Sequence, residues 1–166
     1  MKIEALMSKS LAACIPDDSL ATATRLMWDR DIGFLPVIDR EGRPVGAITD
    51  RDIAMAAYMR SCPLAEMRVG EVMSTNVVCC PAGDELSDAE EMMQDLQVRR
   101  LPVISREGKL VGVVSVTDLA RASVDPKLGN GIRTAEVAST LAVIGAPRQQ
   151  DLETSGAQLQ GGERRA

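Results

Sequence analysis

The sequence predicts an α/β (α+β) fold: two β-α-β-β-α repeats packed as a pseudo-two-fold module, with a short C-terminal helix and a mobile tail. Three observations carry this. Sliding the chain by 66 positions lays residues 6–57 on residues 72–123 without a gap, and 20 of the 52 pairs are identical. A period of that length describes two small subdomains rather than a solenoid. Each half also contains one glycine-led stretch that reads as a buried strand ending in the first turn of a helix: Gly46-Ala47-Ile48-Thr49-Asp50-Arg51-Asp52 and Gly112-Val113-Val114-Ser115-Val116-Thr117-Asp118. Finally, helix-period apolar stripes alternate with short apolar runs in the same order in both halves.

Taken along the chain, residues 1–10 lead into a predicted strand at 11–15. Pro16-Asp17-Asp18 then starts a helix whose Leu20, Ala23 and Met27 share one face. Gly33 is placed to break that helix at its C-terminus. Residues 35–39 form a strand that opens at Pro36, and Arg40-Glu41-Gly42-Arg43 turns the chain into a returning strand at 45–48. A second helix covers 51–59. The second half repeats this order, with a strand at 77–80, a helix at 85–96 and a hairpin of 101–105 with 110–115. Thr117 opens its last helix, over 117–122. The repeats are thus assigned to 2–59 and 70–123, with 60–69 as linker. Each is too small to bury a comfortable core alone, so the two should pack together. In the extension, 124–166, a turn-rich connector over 125–131 precedes a helix at 132–144 with Val137, Leu141 and Ile144 on a stripe. From Ala146 the Gln-, Gly- and charge-rich composition predicts a disordered tail.

Composition narrows the function. Apolar residues are 45% of the chain and aromatics only 2%, so aliphatic residues and methionine must build the core. A net charge of −5 argues against a general nucleic-acid binder. No apolar run approaches a membrane span and no signal-peptide pattern opens the chain, which makes the cytoplasm the expected location. The absence of histidine removes the commonest general base and most triad logic. The four cysteines, Cys14, Cys62, Cys79 and Cys80, form no CxxC pair, so no metal site is assigned. Cys79 and Cys80 are adjacent on a predicted strand and point to opposite faces, which disfavours a dithiol redox centre.

The chemistry suggested by the duplicated stretch is nucleotide binding. Thr49 and Ser115 stand where a helix N-cap is preferred, and backbone N–H groups at a helix start favour an anion. The acids three residues on, Asp52 and Asp118, are placed to accept hydrogen bonds from a vicinal diol. The simpler reading of either copy is an N-cap with an ordinary first-turn acid. Two copies at matched positions favour ligand binding.

Taken together, the G-x-x-[ST]-x-x-D motif, the Leu-Pro-Val-Ile strands at 35–38 and 101–104, the Met-Ser pairs at 7–8 and 73–74 and the element order resemble a pair of cystathionine-β-synthase (CBS) domains. This arrangement is called a Bateman module, and residues 48–53 and 98–103 also resemble its short stand-alone bacterial members. The resemblance covers about residues 2–123. It implies two pseudo-symmetric clefts between the repeats, adenosine ligands such as AMP, ADP, ATP or S-adenosylmethionine, and a disc-like homodimer. Asp52 and Asp118 would then hold ribose hydroxyls. Thr49, Ser115 and Thr117 would supply phosphate-side hydroxyls, and Arg51, which replaces the Thr117 position in the first motif, a charged contact. Phe34 would stack on a purine or simply pack in the core. Arg100 would stack or pair with phosphate. Leu35, Arg99 and Leu101, with Ser10, Ala12, Asn76 and Val78, would complete the base sites.

No Walker lysine loop occurs, so binding without hydrolysis is expected, with no catalytic residue and magnesium only as a companion of bound phosphates. The implied function is a regulatory module that senses adenine nucleotides and signals to an effector protein in trans. The rival readings are an interaction protein with vestigial clefts, an S-adenosylmethionine or metal sensor, and a cysteine-based redox protein.

Overall fold

In the computed structural model, residues 1–125 and 133–147 are described. The helices are α1 (Leu20–Arg30), α2 (Asp50–Arg60), α3 (Leu86–Asp95), α4 (Val116–Val124) and α5 (Thr134–Gly145). The strands are β1 (Phe34–Ile38), β2 (Pro44–Thr49), β3 (Cys80–Pro81), β4 (Arg100–Ile104) and β5 (Leu110–Ser115). β1 and β2 make one antiparallel sheet, while β4 pairs antiparallel with β5 and parallel with β3 in the other. Both hairpins turn at a glycine with positive φ, Gly42 (81°) and Gly108 (77°), which favours the Arg-Glu-Gly sequence of both turns. No helix among the described residues is long and apolar enough to cross a membrane.

The two halves exchange their leading segments. Ser8 pairs with Val113 of β5, and Ser74 pairs with Ala47 of β2, each through two backbone hydrogen bonds of 2.9–3.1 Å. Ile3 accordingly lies in the core of the second half, among Leu86, Met93, Leu101 and Leu119. Its repeat counterpart Val69 lies with Met67 in the first core, among Leu20, Leu35, Val37 and Ile48. Glycine makes the crossing possible. A Cβ on Gly46 would stand 2.7 Å from Met73 Sδ and 2.8 Å from the Ser74 carbonyl oxygen. One on Gly112 would stand 2.6 Å from Met7 Sδ and 3.0 Å from the Ser8 carbonyl oxygen. The Met-Ser pair and the motif glycine of opposite repeats are two sides of one contact.

Several local expectations are corrected. The strand expected at 11–15 is a single bridge, Cys14 to Val37, and the one expected at 77–80 is the two-residue β3. Only one residue of each segment meets the sheet; Val77 and Val78 run along a cleft instead. Helix α1 begins after Ser19, whose Oγ accepts from Thr22 N at 3.1 Å, because Asp18 closes the preceding turn onto Ile15 N. The helix ends on Asp31 in the left-handed region (φ 52°) rather than at Gly33. Gly33 is needed for close approach, since a Cβ there would come within 2.6 Å of Asp50 Oδ2. Helix α4 starts at Val116, with Ser115 as its cap.

Helix α5 buries Val137, Thr140 and Ile144, leaving Leu141 exposed. Thr140 is tolerated inside because its hydroxyl accepts from Gln94 Nε2 (2.7 Å) and donates to the Glu136 carbonyl (3.1 Å). The helix covers the α3 and α4 face of the second half. The expected connector at 126–131 and most of the expected tail, from 148 on, lie outside the described residues.

The cysteines are free thiols. Burial pushes Cys14 and Cys80 up to about 12, and their sulfurs face the carbonyls of Pro36 and Pro102. Burial also raises Cys79. Reactive thiols need a thiolate, so this environment opposes the redox reading.

Two outcomes follow from this packing. Gly46→Ala should lose about 1–3 kcal/mol in urea denaturation, because β2 must move off Met73 and Ser74. For the thiols, iodoacetamide at pH 8 should leave Cys14 and Cys80 unmodified in the folded protein and modify both in urea, read by peptide mass spectrometry. The raised thiols also set a sign. Between the ordinary thiol value of 9.0 and about 12 the native state binds more protons than the unfolded one, so stability should fall as pH rises through that window.

Candidate functional site

Each motif is built on a strand-to-helix junction. Thr49 Oγ1 accepts from Asp52 N (3.2 Å), while Asp52 Oδ2 accepts from Thr49 N (2.9 Å) and from the Thr49 hydroxyl (2.7 Å). Ser115 and Asp118 reproduce this reciprocal cap, with distances of 3.3, 2.9 and 2.5 Å. The carboxylates therefore cap their helices, as the simpler reading expects, but through Oδ2 alone. Among the described residues Asp52 Oδ1 has no hydrogen-bond partner, and Asp118 Oδ1 has only Arg121 Nη1, at 3.9 Å. Both acids are half-buried, which leaves Oδ1 as the oxygen able to receive a ligand hydroxyl.

Two clefts lie at these junctions. That of Asp118 encloses about 300 Å3 and brings together Ser10, Ala12, Phe34, Arg100, Ser115 and Thr117. That of Asp52 encloses about 450 Å3 and brings together Phe34, Thr49, Asn76, Val78, Arg100 and Leu101. An outer space of about 790 Å3, bordered again by Thr49 and Asp52, holds Arg51, Arg99 and the end of α5 at Ile144, Ala146 and Pro147. Arg100 and Phe34, equivalent positions of the two repeats, border both clefts. Leu35 is the exception: its side chain is fully buried in the first core and lines neither cleft, because the first strand directs it away from them. Leu101 is also a core residue, reaching the cleft only at its edge.

Other residues at the clefts went unassigned from sequence. Ser8 and Ser74 arrive through the exchanged segments, and the repeated Met-Ser pair was their signal. Asp31 and Ile32 border the Asp118 cleft, and their counterparts Gln97 and Val98 border the outer space. Arg121, also at the Asp118 cleft, has Met55 as its counterpart and so left no trace in the repeat. No group of three or more Cys, Asp or Glu side chains suited to a metal ion occurs among the described residues.

Paired repeats with exchanged leaders, enclosing two clefts at capped helix starts, define a tandem-repeat module with two candidate sites. The family model described as "CBS domain" matches residues 3–58 and 69–125, and the chain belongs to that family. It is 36% identical over 124 residues to an uncharacterized 17.7 kDa protein of Acidianus ambivalens, covering 75% of this chain and 74% of that one. It is 35% identical over 114 residues to the CBS domain-containing protein YhcV of Bacillus subtilis, covering 69% and 79%. The crystal structure of CBSX2 in complex with AMP matches with a TM-score of 0.66 at 25% identity, over 76% of this chain and 98% of that one.

The cap geometry separates two substitutions. Asp52→Ala removes the reciprocal cap and should lose about 1 kcal/mol in chemical denaturation. Asp52→Asn, which keeps an acceptor oxygen for Thr49 N, should lose less than half of that.

Proposed function

We propose that this chain is a cytoplasmic regulatory module that binds adenine nucleotides, AMP, ADP or ATP, in its two clefts and passes their occupancy to an effector protein in trans. The observation that carries the reading is the divided aspartate: one oxygen closes the helix cap, the other takes no part in it, and each aspartate borders a cleft that Arg100 and Phe34 also border. A carboxylate suits a ribose diol, a guanidinium suits phosphate and an aromatic ring suits a purine. The similarity to a module crystallised with AMP supports the same ligand class. In this reading ribose lies on Asp52 and Asp118, phosphates meet Thr49, Arg51, Ser115, Thr117 and Arg100, and magnesium accompanies only the polyphosphates. The module binds and does not turn its ligand over. Signalling requires that the ligand prefer one of two conformations, since equal affinity shifts nothing.

The same reading makes the module a homodimer through its helical faces. Trp28, Tyr58 and Met59 on α1 and α2 are 85%, 82% and 73% exposed. Large apolar side chains left this exposed on adjacent helices favour an interface. Sedimentation velocity should give a dimer at micromolar concentration; a lone monomer there would remove this part.

Thermal unfolding tests the ligand class. At about a hundred times its dissociation constant a nucleotide stabilises the native state by roughly 2.7 kcal/mol, which raises the melting midpoint by several degrees. AMP, ADP or ATP should do so for the wild type. The double variant Asp52→Asn, Asp118→Asn should show no rise, and dideoxyadenosine monophosphate, lacking both ribose hydroxyls, should bind at least tenfold more weakly than AMP. An undiminished rise in the double variant would reduce both aspartates to helix caps.

A further inference from the structure

We infer that the two clefts divide adenosine ligands by charge, the Asp52 cleft taking the polyphosphates ADP and ATP and the Asp118 cleft the monophosphate. This rests on the adenosine reading above and goes beyond it, because the repeat would otherwise make the clefts equivalent.

The clefts differ at the positions that the repeat aligns. Arg51 at the Asp52 side corresponds to Thr117 at the other, and Arg99 corresponds to Gly33. Gln97 corresponds to Asp31; both occupy the left-handed region, with φ of 49° and 52°, so the backbone is conserved while the charge changes. Arg100 is shared. The Asp52 cleft and its outer space thus face Arg51, Arg99 and Arg100 against the single carboxylate of Asp52. The Asp118 cleft faces Arg100 and Arg121 against Asp31 and Asp118. Arg121 is partly engaged by Asp118, at 3.9 Å. Arg30 adds a positive charge at this rim, but its Nη1 donates to Ser10 Oγ at 3.3 Å.

The adjoining spaces differ in the same sense. The Asp118 cleft of about 300 Å3 meets, at Asp31 and Ile32, a groove of about 340 Å3 lined by Asp31 and Asp50, whereas the Asp52 cleft of about 450 Å3 adjoins a space of about 790 Å3 lined by Arg51 and Arg99. A chain of phosphates leaving a ribose at Asp52 has room and three guanidiniums before it. One leaving a ribose at Asp118 meets the carboxylate of Asp31 at the rim. A guanidinium binds phosphate in a charge-assisted, often bidentate geometry, while a nearby carboxylate repels every added negative charge. Because the arginines are exposed, the preference should weaken with salt.

Isothermal titration of the full chain with ATP, AMP and adenosine, without divalent cations, tests this. Asp118→Asn isolates the Asp52 cleft and Asp52→Asn the Asp118 cleft. The ATP-to-adenosine affinity ratio should be at least tenfold higher in the Asp52 cleft and should fall between low and physiological salt. In the Asp118 cleft AMP should bind at least as tightly as ATP. The pair Arg51→Thr, Arg99→Gln should lower the ratio in the Asp52 cleft about tenfold. The converse pair Asp31→Gln, Thr117→Arg should raise it in the Asp118 cleft, a gain that damaged folding cannot imitate. Equal ratios in the two clefts, or ratios that the exchanges leave within twofold, would overturn the charge division while leaving adenosine binding intact. Failure of every adenosine compound to bind either cleft would overturn both.

Discussion

The close backbone contact between each motif glycine and the Met-Ser segment of the opposite repeat is what the rest of the structure depends on. A two-stranded sheet and a three-stranded sheet, each with two helices, are individually poor cores. By crossing over Gly46 and Gly112, the leading segments deliver Val69 to the first core and Ile3 to the second. Each half is therefore completed by residues that lead into the other half's first helix, and neither core closes without the exchange. The clefts follow from the same crossing. Once Ser8 and Ser74 are pinned to β5 and β2, the chain beyond them runs through Ser10 and Ala12, or Asn76 and Val78, along the cleft floors.

In the proposed reading the capped aspartate serves stability and ligand binding together. The reciprocal cap fixes Oδ2 against the strand end, so the rotamer is set before any ligand arrives. That leaves Oδ1 pre-positioned, and a preorganised acceptor avoids an ordering cost on binding. The helix-cap reading and the ligand-site reading of the motif are thus compatible, since they claim different oxygens.

What the sequence made legible was what repetition and strong periodicity carry. The hairpins, the motif junctions and the apolar faces of α1 and α3 lie where the alternation and helical spacing put them. Less legible were features with no period of their own. A single bridge at Cys14 and a two-residue strand at Cys80 are too short to alternate. Gly33 reads like a helix stop, but its need comes from Asp50, a contact across the fold that local sequence does not encode. Leu141 looks like a core residue by hydrophobicity, yet Thr140 takes the buried position because Gln94, 46 residues away, satisfies its hydroxyl. At the clefts, the repeat located the motif residues but could not expose Arg121 or Asp31, since a repeat reveals what the halves share and both clefts are differentiated by what they do not.

That differentiation has a structural counterpart in α5. On the second half, Gln97 Nε2 donates to the Val143 and Ala146 carbonyls, anchoring the end of α5 beside the strand leader 98–100. On the first half the corresponding groove, lined by Thr24, Met27, Trp28 and Ile32, remains open at about 340 Å3. The helix therefore breaks the internal symmetry on one side only, and its end at Ile144, Ala146 and Pro147 borders the space that also holds Arg51 and Arg99. A group placed among those arginines necessarily shares its surroundings with the terminus of α5, whereas a group in the Asp118 cleft does not. A ligand shifts a conformational equilibrium only through contacts that differ between the two states, and contacts with the end of α5 are open at the Asp52 side alone. By that criterion the duplicated clefts are inequivalent in their connection to the extension as well as in charge, and both differences meet at the stretch from Gln97 to Arg100.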